Sequence, residues 1–263
     1  MVIAAGTYAC GIEPSRLTIT QHAFGGERGP VLRLVQLSDL HLRAVDRHAE
    51  RIAEAVHELR PDMLVLTGDA IDRADSAPLL STFLTLLPDV AHRIAILGNW
   101  EHWARLDLTD VRRRYERSGW TLLQNETIRL MHQGIPVQLT GLDDLIGGRP
   151  NVAHALADAT KMPNHVLLAH CPMHREAFLS AVASSDARDL VPQLMLSGHT
   201  HGGQLAVGGW APMCPPGSGR YVAGWYRDAP TALYVSRGLG TSVVPARFGA
   251  PPEIAVFDWR LAT

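Results

Sequence analysis

Seven side chains able to hold a metal ion recur along this chain, each directly after a short apolar run: Asp39, His41, Asp69, Asn99, His170, His199 and His201. The last two sit one residue apart in Gly198-His199-Thr200-His201-Gly202-Gly203-Gln204. In an extended loop that spacing aims both rings at one region. The glycines allow a tight backbone and keep other side chains off whatever the rings hold. Neutral imidazole is a common transition-metal ligand, and the carboxylates and the Asn carbonyl add harder oxygen donors. Taken singly, each residue also has a plain structural reading: Asp39 as a turn cap, Asn99 as a helix cap, His170 as a core histidine.

The elements that must place these groups follow from periodicity. Residues 31–37 read as a strand ending in Ser38-Asp39-Leu40-His41, and 63–66 as a buried strand ending in Thr67-Gly68-Asp69. Residues 94–97 form a third strand ending in Gly98-Asn99. A fourth, 165–169, delivers His170, and a fifth, 193–196, delivers His199 and His201. Helices are expected near 47–60, capped by Asp46 and closed by Pro61, and near 79–87, 109–118, 152–159 and 175–183. Residues 120–141 read as an antiparallel meander, 208–219 as a loop, and 232–236 and 254–259 as closing strands. Strands alternating with helices imply right-handed crossovers and a largely parallel core, so the carboxyl ends point one way. Open α/β sheets bind ligands outside those ends, and all seven donors fall there.

The 263 residues, 46% hydrophobic, suffice for one large core, and we expect a single domain over 1–263 with 1–30 as an N-terminal extension. A net charge of −2 without a long basic run argues against nucleic acid as a partner. Three scattered cysteines, Cys10, Cys171 and Cys214, make neither a disulfide framework nor a zinc knuckle. Cys171 adjoins His170 and reads as a packed thiol rather than a soft metal donor. The apolar head, residues 1–10, is too short to span a bilayer and lacks the charged start of a signal peptide; it reads as the trailing end of an anchor.

Asp39-Leu40-His41, Gly68-Asp69, Gly98-Asn99, His170-Cys171-Pro172 and Gly198-His199-Thr200-His201 resemble, in order, the five signature blocks of the calcineurin-like metallophosphoesterases. The resemblance implies an α/β sandwich of two facing sheets flanked by helices, and a dinuclear centre. One ion would be held by Asp39, His41, Asp69 and His201, the other by Asp69, Asn99, His170 and His199. Asp69 has two oxygens and can bridge. Mixed nitrogen and oxygen donors suit Mn, Fe or Zn better than Ca, with Mn favoured. Two ions about 3.5–4 Å apart can hold a hydroxide between them and clamp a phosphoryl group for in-line attack. The longer run to Gln204, Asp143-Asp144 and Ser236-Arg237-Gly238-Leu239-Gly240-Thr241-Ser242 resemble a bacterial membrane-associated and exported branch, which includes UDP-2,3-diacylglucosamine hydrolases. That branch points to a phosphate-containing small molecule or lipid as substrate and to work at or near a membrane; a cytoplasmic location stays open.

One position departs from the pattern. After Gly-Asn the family usually has His, thought to protonate the leaving oxygen; here it is Trp100. His102 is the candidate substitute, with an exposed helix histidine as the other reading. Trp100 and Trp103 read as pocket lining or as core. Arg237 and Arg247 are candidate phosphate-binding residues, since guanidinium makes bidentate contacts with phosphate, with a structural arginine beside Gly-rich turns as the other reading. The leading expectation is hydrolysis of a phosphodiester or pyrophosphate bond. A phosphomonoesterase, including a protein phosphatase, and a weakly catalytic metal-binding scaffold are the alternatives.

Overall fold

The computed structural model describes residues 6–208, 210–212 and 214–263, so the first half of the apolar head, residues 1–5, lies outside the described residues. The first half of the fold runs β1 (Thr18–Gly25), β2 (Val31–Leu37), α1 (Arg47–Leu59), β3 (Met63–Thr67), α2 (Ala77–Leu86), β4 (His92–Ile96), α3 (Asn99–Trp103) and α4 (Leu108–Arg117). Then come β5 (Thr121–Leu123), β6 (Glu126–His132), β7 (Ile135–Gly141), α5 (Val152–Ala155), β8 (His165–Leu168) and α6 (His174–Ala183). The last strands are β9 (Leu194–Ser197), β10 (Gly224–Tyr226), β11 (Ala232–Val235) and β12 (Glu253–Arg260). No described helix is long and apolar enough to cross a membrane.

Two sheets result, ordered β1-β12-β2-β3-β4-β5 and β10-β11-β9-β8-β7-β6. Strands β2 to β5 are mutually parallel, as are β7, β8, β9 and β11. The sheets face each other through one apolar layer that includes Leu34, Val65, Ile96, Leu139, Leu168, Leu196 and Phe257. Alternate residues of the same strands point outward under helices: Leu64 and Leu66 pack with Ile52 and Val56 of α1 and Phe83 of α2. On the second sheet Leu167 and Met195 pack with Phe178 and Val182 of α6. Both faces are therefore largely buried, which is why the central strands are mainly apolar with little alternation. Helix α1 begins where Asp46 accepts from the His48 and Ala49 amides, and ends with Arg60 left-handed (φ 48°) before Pro61.

The chain departs from the expected elements in three places. The meander at 120–141 is divided: β5 pairs in parallel with β4 in the first sheet, and only β6 and β7 form an antiparallel hairpin, in the second. Strands β1 and β10 are additional and stand at sheet edges, where β1 alternates half-buried and exposed residues. The helix expected at 152–159 stops at Ala155.

Candidate metal centre

Each donor follows the carboxyl end of its strand: Asp39 and His41 after β2, Asp69 after β3, Asn99 after β4 as the first residue of α3, His170 after β8, and His199 and His201 after β9. All seven are at most 5% exposed. Burying that many polar groups is costly unless they are paired or bind a cation. The backbone there is unusual as well. Asp39 (φ 51°), His41 (43°), Asp69 (52°), His199 (74°) and His201 (52°) all occupy the left-handed region. Non-glycine residues enter it uncommonly and at a cost of about 1–3 kcal/mol each, and such residues cluster at functional sites.

Crossed hydrogen bonds hold these loops in place. The Asp39 amide donates to the Gly68 carbonyl (3.1 Å), His41 to Asp69 (3.0 Å) and Gly198 to His170 (3.1 Å). The approach is too close for side chains: a Cβ on Gly98 would strike the Asp69 carboxylate, and one on Gly198 would strike Ser38 and Asp39. The Glu101 carboxylate, 1% exposed, accepts from the amides of Asp69 (3.2 Å), Ala70 (2.7 Å), Ile71 (3.3 Å) and Gly98 (2.9 Å). It therefore locks the loop after β3 to the loop after β4. Burial, then the neighbouring Asp69 charge, pushes its carboxyl up to about 7 against the pull of the backbone amides.

The donors fall into two groups, Asp39 with His41 and His201, and Asp69 with His170 and His199; within each, the ligand atoms lie within 4.8 Å of one another. In the first, His41 Nε2 is 3.1 Å from His201 Nε2, which is 3.5 Å from Asp39 Oδ1. In the second, Asp69 Oδ2 is 3.0 Å from His170 Nε2. The same Asp69 oxygen is 3.8 Å from His41 Nε2, so it stands between the groups. Ligands about 2.0–2.1 Å from a shared ion lie roughly 3–3.5 Å apart, so these separations fit a cation in each group.

The hydrogen bonding of the donors fits cations as well. His170 Nδ1 donates to the Thr67 carbonyl (2.7 Å) and His199 Nε2 to the Pro216 carbonyl (2.7 Å), which leaves the other ring nitrogen of each with a lone pair. Asn99 Oδ1 is buried without a hydrogen-bond partner, and His170 Nε2 faces the Asp69 and Asp39 carboxylates at 3.0 and 4.0 Å. Burial alone would raise the Asp69 carboxyl, yet His170, His41 and the Trp100 amide (2.9 Å) hold it well below the usual range. Burial alone would lower the His170 imidazole, but Asp69 and Asp39 raise it well above the ordinary value. The pocket attracts positive charge.

Three expectations change with the geometry. Arg247 is fully buried, and its guanidinium is spent on the carbonyls of Gly240, Arg237 (2.9 Å) and Ala250 (2.8 Å), so it braces the loop beside His201 and is not free to bind phosphate. Arg237 is held through Nε and Nη2 by the Pro251 carbonyl (3.1 Å), Thr18 Oγ1 (3.0 Å) and Glu253 (3.5 Å), which favours its structural reading. His102 Nε2 is 2.8 Å from Asp143 Oδ1, and its ring is not part of the cavity beside the donors. The Cys171 thiol, as expected of a packed group, donates to Asp144 Oδ2 (3.1 Å), and burial pushes it far up, so it offers no thiolate.

Sequence reading overlooked two supporting groups. Glu101 carried a signal, because Gly98-Asn99-Trp100-Glu101 has the spacing of a capping box at the start of α3. Asp72 carried none; its Oδ2 lies 3.6 Å from His41 Nδ1. The cavity beside the donors is about 340 Å³ and is lined at one end by Asp69, Asn99, His199 and His201. Trp100 forms part of its wall and meets the His41 ring edge-on at 6.0 Å.

A family profile described as calcineurin-like phosphoesterase matches residues 32–203. Over 96% of this chain and 89% of its own length, the metallophosphoesterase YkuE of Bacillus subtilis (strain 168) is 30% identical. The phosphodiesterase YaeI of Escherichia coli (strain K12) is 28% identical over 94% of this chain and 89% of its own. Among solved structures, TT1561 of Thermus thermophilus superposes with a TM-score of 0.51 at 13% identity, over 80% of this chain and 90% of that one, which speaks to the fold.

Proposed function

The chain belongs to the calcineurin-like phosphoesterase family, and from that premise we propose that it is a phosphodiesterase or pyrophosphatase that acts where the departing oxygen is already a stable anion. The observation that carries this reading is Trp100, an indole in the cavity wall where the family usually has an imidazole. A second support is the name phosphodiesterase borne by the similar E. coli protein. Asp39, His41 and His201, with Asp69 shared, would hold one divalent cation; Asp69, Asn99, His170 and His199 would hold the other. We favour Mn over Fe and Zn for this mixed nitrogen and oxygen donor set. Such cations supply Lewis-acid polarisation of the phosphoryl oxygens and a lowered pKa for the attacking water.

The chain's own residues do the rest. Asp69 fixes the separation of the two groups, and Glu101 fixes Asp69 relative to Asn99. Water supplies the new P–O bond, and the P–O bond to the leaving group breaks. No side chain at position 100 can deliver a proton to the departing oxygen, so a phosphate, phosphate monoester or aryl oxide leaves readily and an alkoxide does not. Under added Mn²⁺, bis-p-nitrophenyl phosphate should be hydrolysed faster than p-nitrophenyl phosphate. Preference for the monoester would make this a phosphomonoesterase. Hydrolysis of neither ester by the metal-loaded protein would overturn the enzymatic reading.

Trp100→His should restore proton delivery and raise the ratio of alkyl to aryl diester rates by roughly tenfold or more. An unchanged ratio in a folded, metal-loaded variant would contradict this account of position 100. His102→Ala should lower all substrates by a similar factor, because His102 is tied to Asp143 and acts by seating α3. A loss concentrated on poor leaving groups would instead make His102 the acid.

A further inference from the structure

Moving away from the donors, the cavity changes character. Its outer wall is built by Trp100, Trp103, Leu205, Pro216, Val243 and Val244, and no lysine or arginine is found among the described residues that line it. Trp103 is 49% exposed and Val243 80% exposed, so apolar surface continues from the cavity to its mouth. Val243 is also the least expected residue for its backbone. Its φ is 53°, and a β-branched side chain in the left-handed region is an outlier.

That conformation is imposed by Gln204. Its Oε1 accepts from the Ser242 amide (3.0 Å), and its Nε2 donates to the carbonyls of Ser242 (3.1 Å) and Val244 (2.7 Å). Further back, the Leu239 amide donates to the Ser38 carbonyl (3.0 Å) and the Gly240 amide to that of Asp39 (2.7 Å), which anchors the strand-to-loop segment to the donor loop itself. Glycine would satisfy the turn without strain. A strained valine, clamped on both sides, instead displays an apolar side chain at the rim of the cavity.

We infer that this outer wall is a subsite for the hydrocarbon portion of an amphiphilic phosphoester, with Val243 a specificity-determining residue. The inference rests on the phosphoester reading of the donor cluster, because one continuous cavity joins the two. Its 340 Å³ is room for on the order of ten water-sized groups at ~30 Å³ each, enough for a phosphate at the donors and a short chain along the apolar wall. Such a ligand places phosphate at the donors and its chain between the indoles and the valines.

Calorimetric titration of Mn²⁺-loaded protein with methyl-, butyl- and octylphosphonate, kept below their aggregation concentrations, tests binding without turnover. Affinity should rise about two- to fourfold per methylene, with an increasingly negative heat-capacity change. Val243→Gly removes the side chain and relieves the backbone, so it should fold at least as well as the parent. It should also flatten the chain-length dependence, as should Trp103→Ala in the same cavity lining. Met131→Asp, at an exposed apolar residue on β6, should leave the dependence intact. Equal affinity for methyl- and octylphosphonate, or an undiminished dependence in both Val243→Gly and Trp103→Ala, would overturn the subsite. Affinity that climbs with chain length while no p-nitrophenyl alkyl phosphate is hydrolysed would support the subsite and defeat the enzymatic reading instead.

Discussion

Replacing Asp69 with Asn is expected to reduce diester hydrolysis by on the order of a thousandfold and to weaken metal binding in both donor groups together. The reason lies in where the carboxylate stands. Oδ2 is 3.0 Å from His170 in one group and 3.8 Å from His41 in the other, while Oδ1 accepts the Trp100 amide. Asparagine retains an acceptor for Trp100 but loses the negative charge that serves both groups. A thousandfold corresponds to about 4 kcal/mol, the scale of charge stabilisation assigned to metal-ion catalysis. His41→Ala, by contrast, removes a donor from one group and should release one ion first. Metal titration of the two variants separates the cases. Loss of a single ion in Asp69→Asn would mean that the carboxylate is not shared.

The second large effect belongs to Glu101, which need touch neither ion nor substrate. Glu101→Ala strands four buried backbone amides, those of Asp69, Ala70, Ile71 and Gly98. At roughly 1–3 kcal/mol for each unmet buried donor, and with relaxation recovering part, a net loss of about 3–5 kcal/mol of stability is expected. Glu101→Gln should be damaging too, since its amide nitrogen must face backbone N–H groups where the carboxylate had accepted. Urea unfolding measures the stability, and metal titration of the folded fraction measures the separate loss of site geometry. A Glu101→Ala protein of parental stability and metal affinity would show that the loops after β3 and β4 hold themselves in register.

Much of this site could be read before any coordinates because of how the strands are buried. Strands β2, β3, β4, β8 and β9 are covered on both faces over most of their length, so each carries a mainly apolar run whose end is easily seen, and a donor follows each end. The edge strand β1 gave only a weak alternation, and the three-residue β5 gave no sign of which sheet it would join, since tertiary pairing decides that. For Arg237 and Arg247 the choice between binding phosphate and bracing a turn had no local signal, because their partners come from distant segments. Only the fold brings the carbonyls of Gly240 and Ala250 around Arg247, and Pro251, Thr18 and Glu253 around Arg237. The left-handed backbone at Asp39, His41, Asp69, His199 and His201 was equally invisible, as none is a glycine and no local pattern announces φ above zero there.

The central claim is that two donor groups sharing Asp69 hold two ions. Elemental analysis of the purified chain after saturation with Mn²⁺ and removal of excess, paired with anomalous diffraction at the Mn edge, tests it most directly. The account predicts close to two ions per chain, one amid Asp39, His41 and His201 and one amid Asn99, His170 and His199, with Asp69 touching both. A fully occupied structure with a single ion, or none, would contradict it.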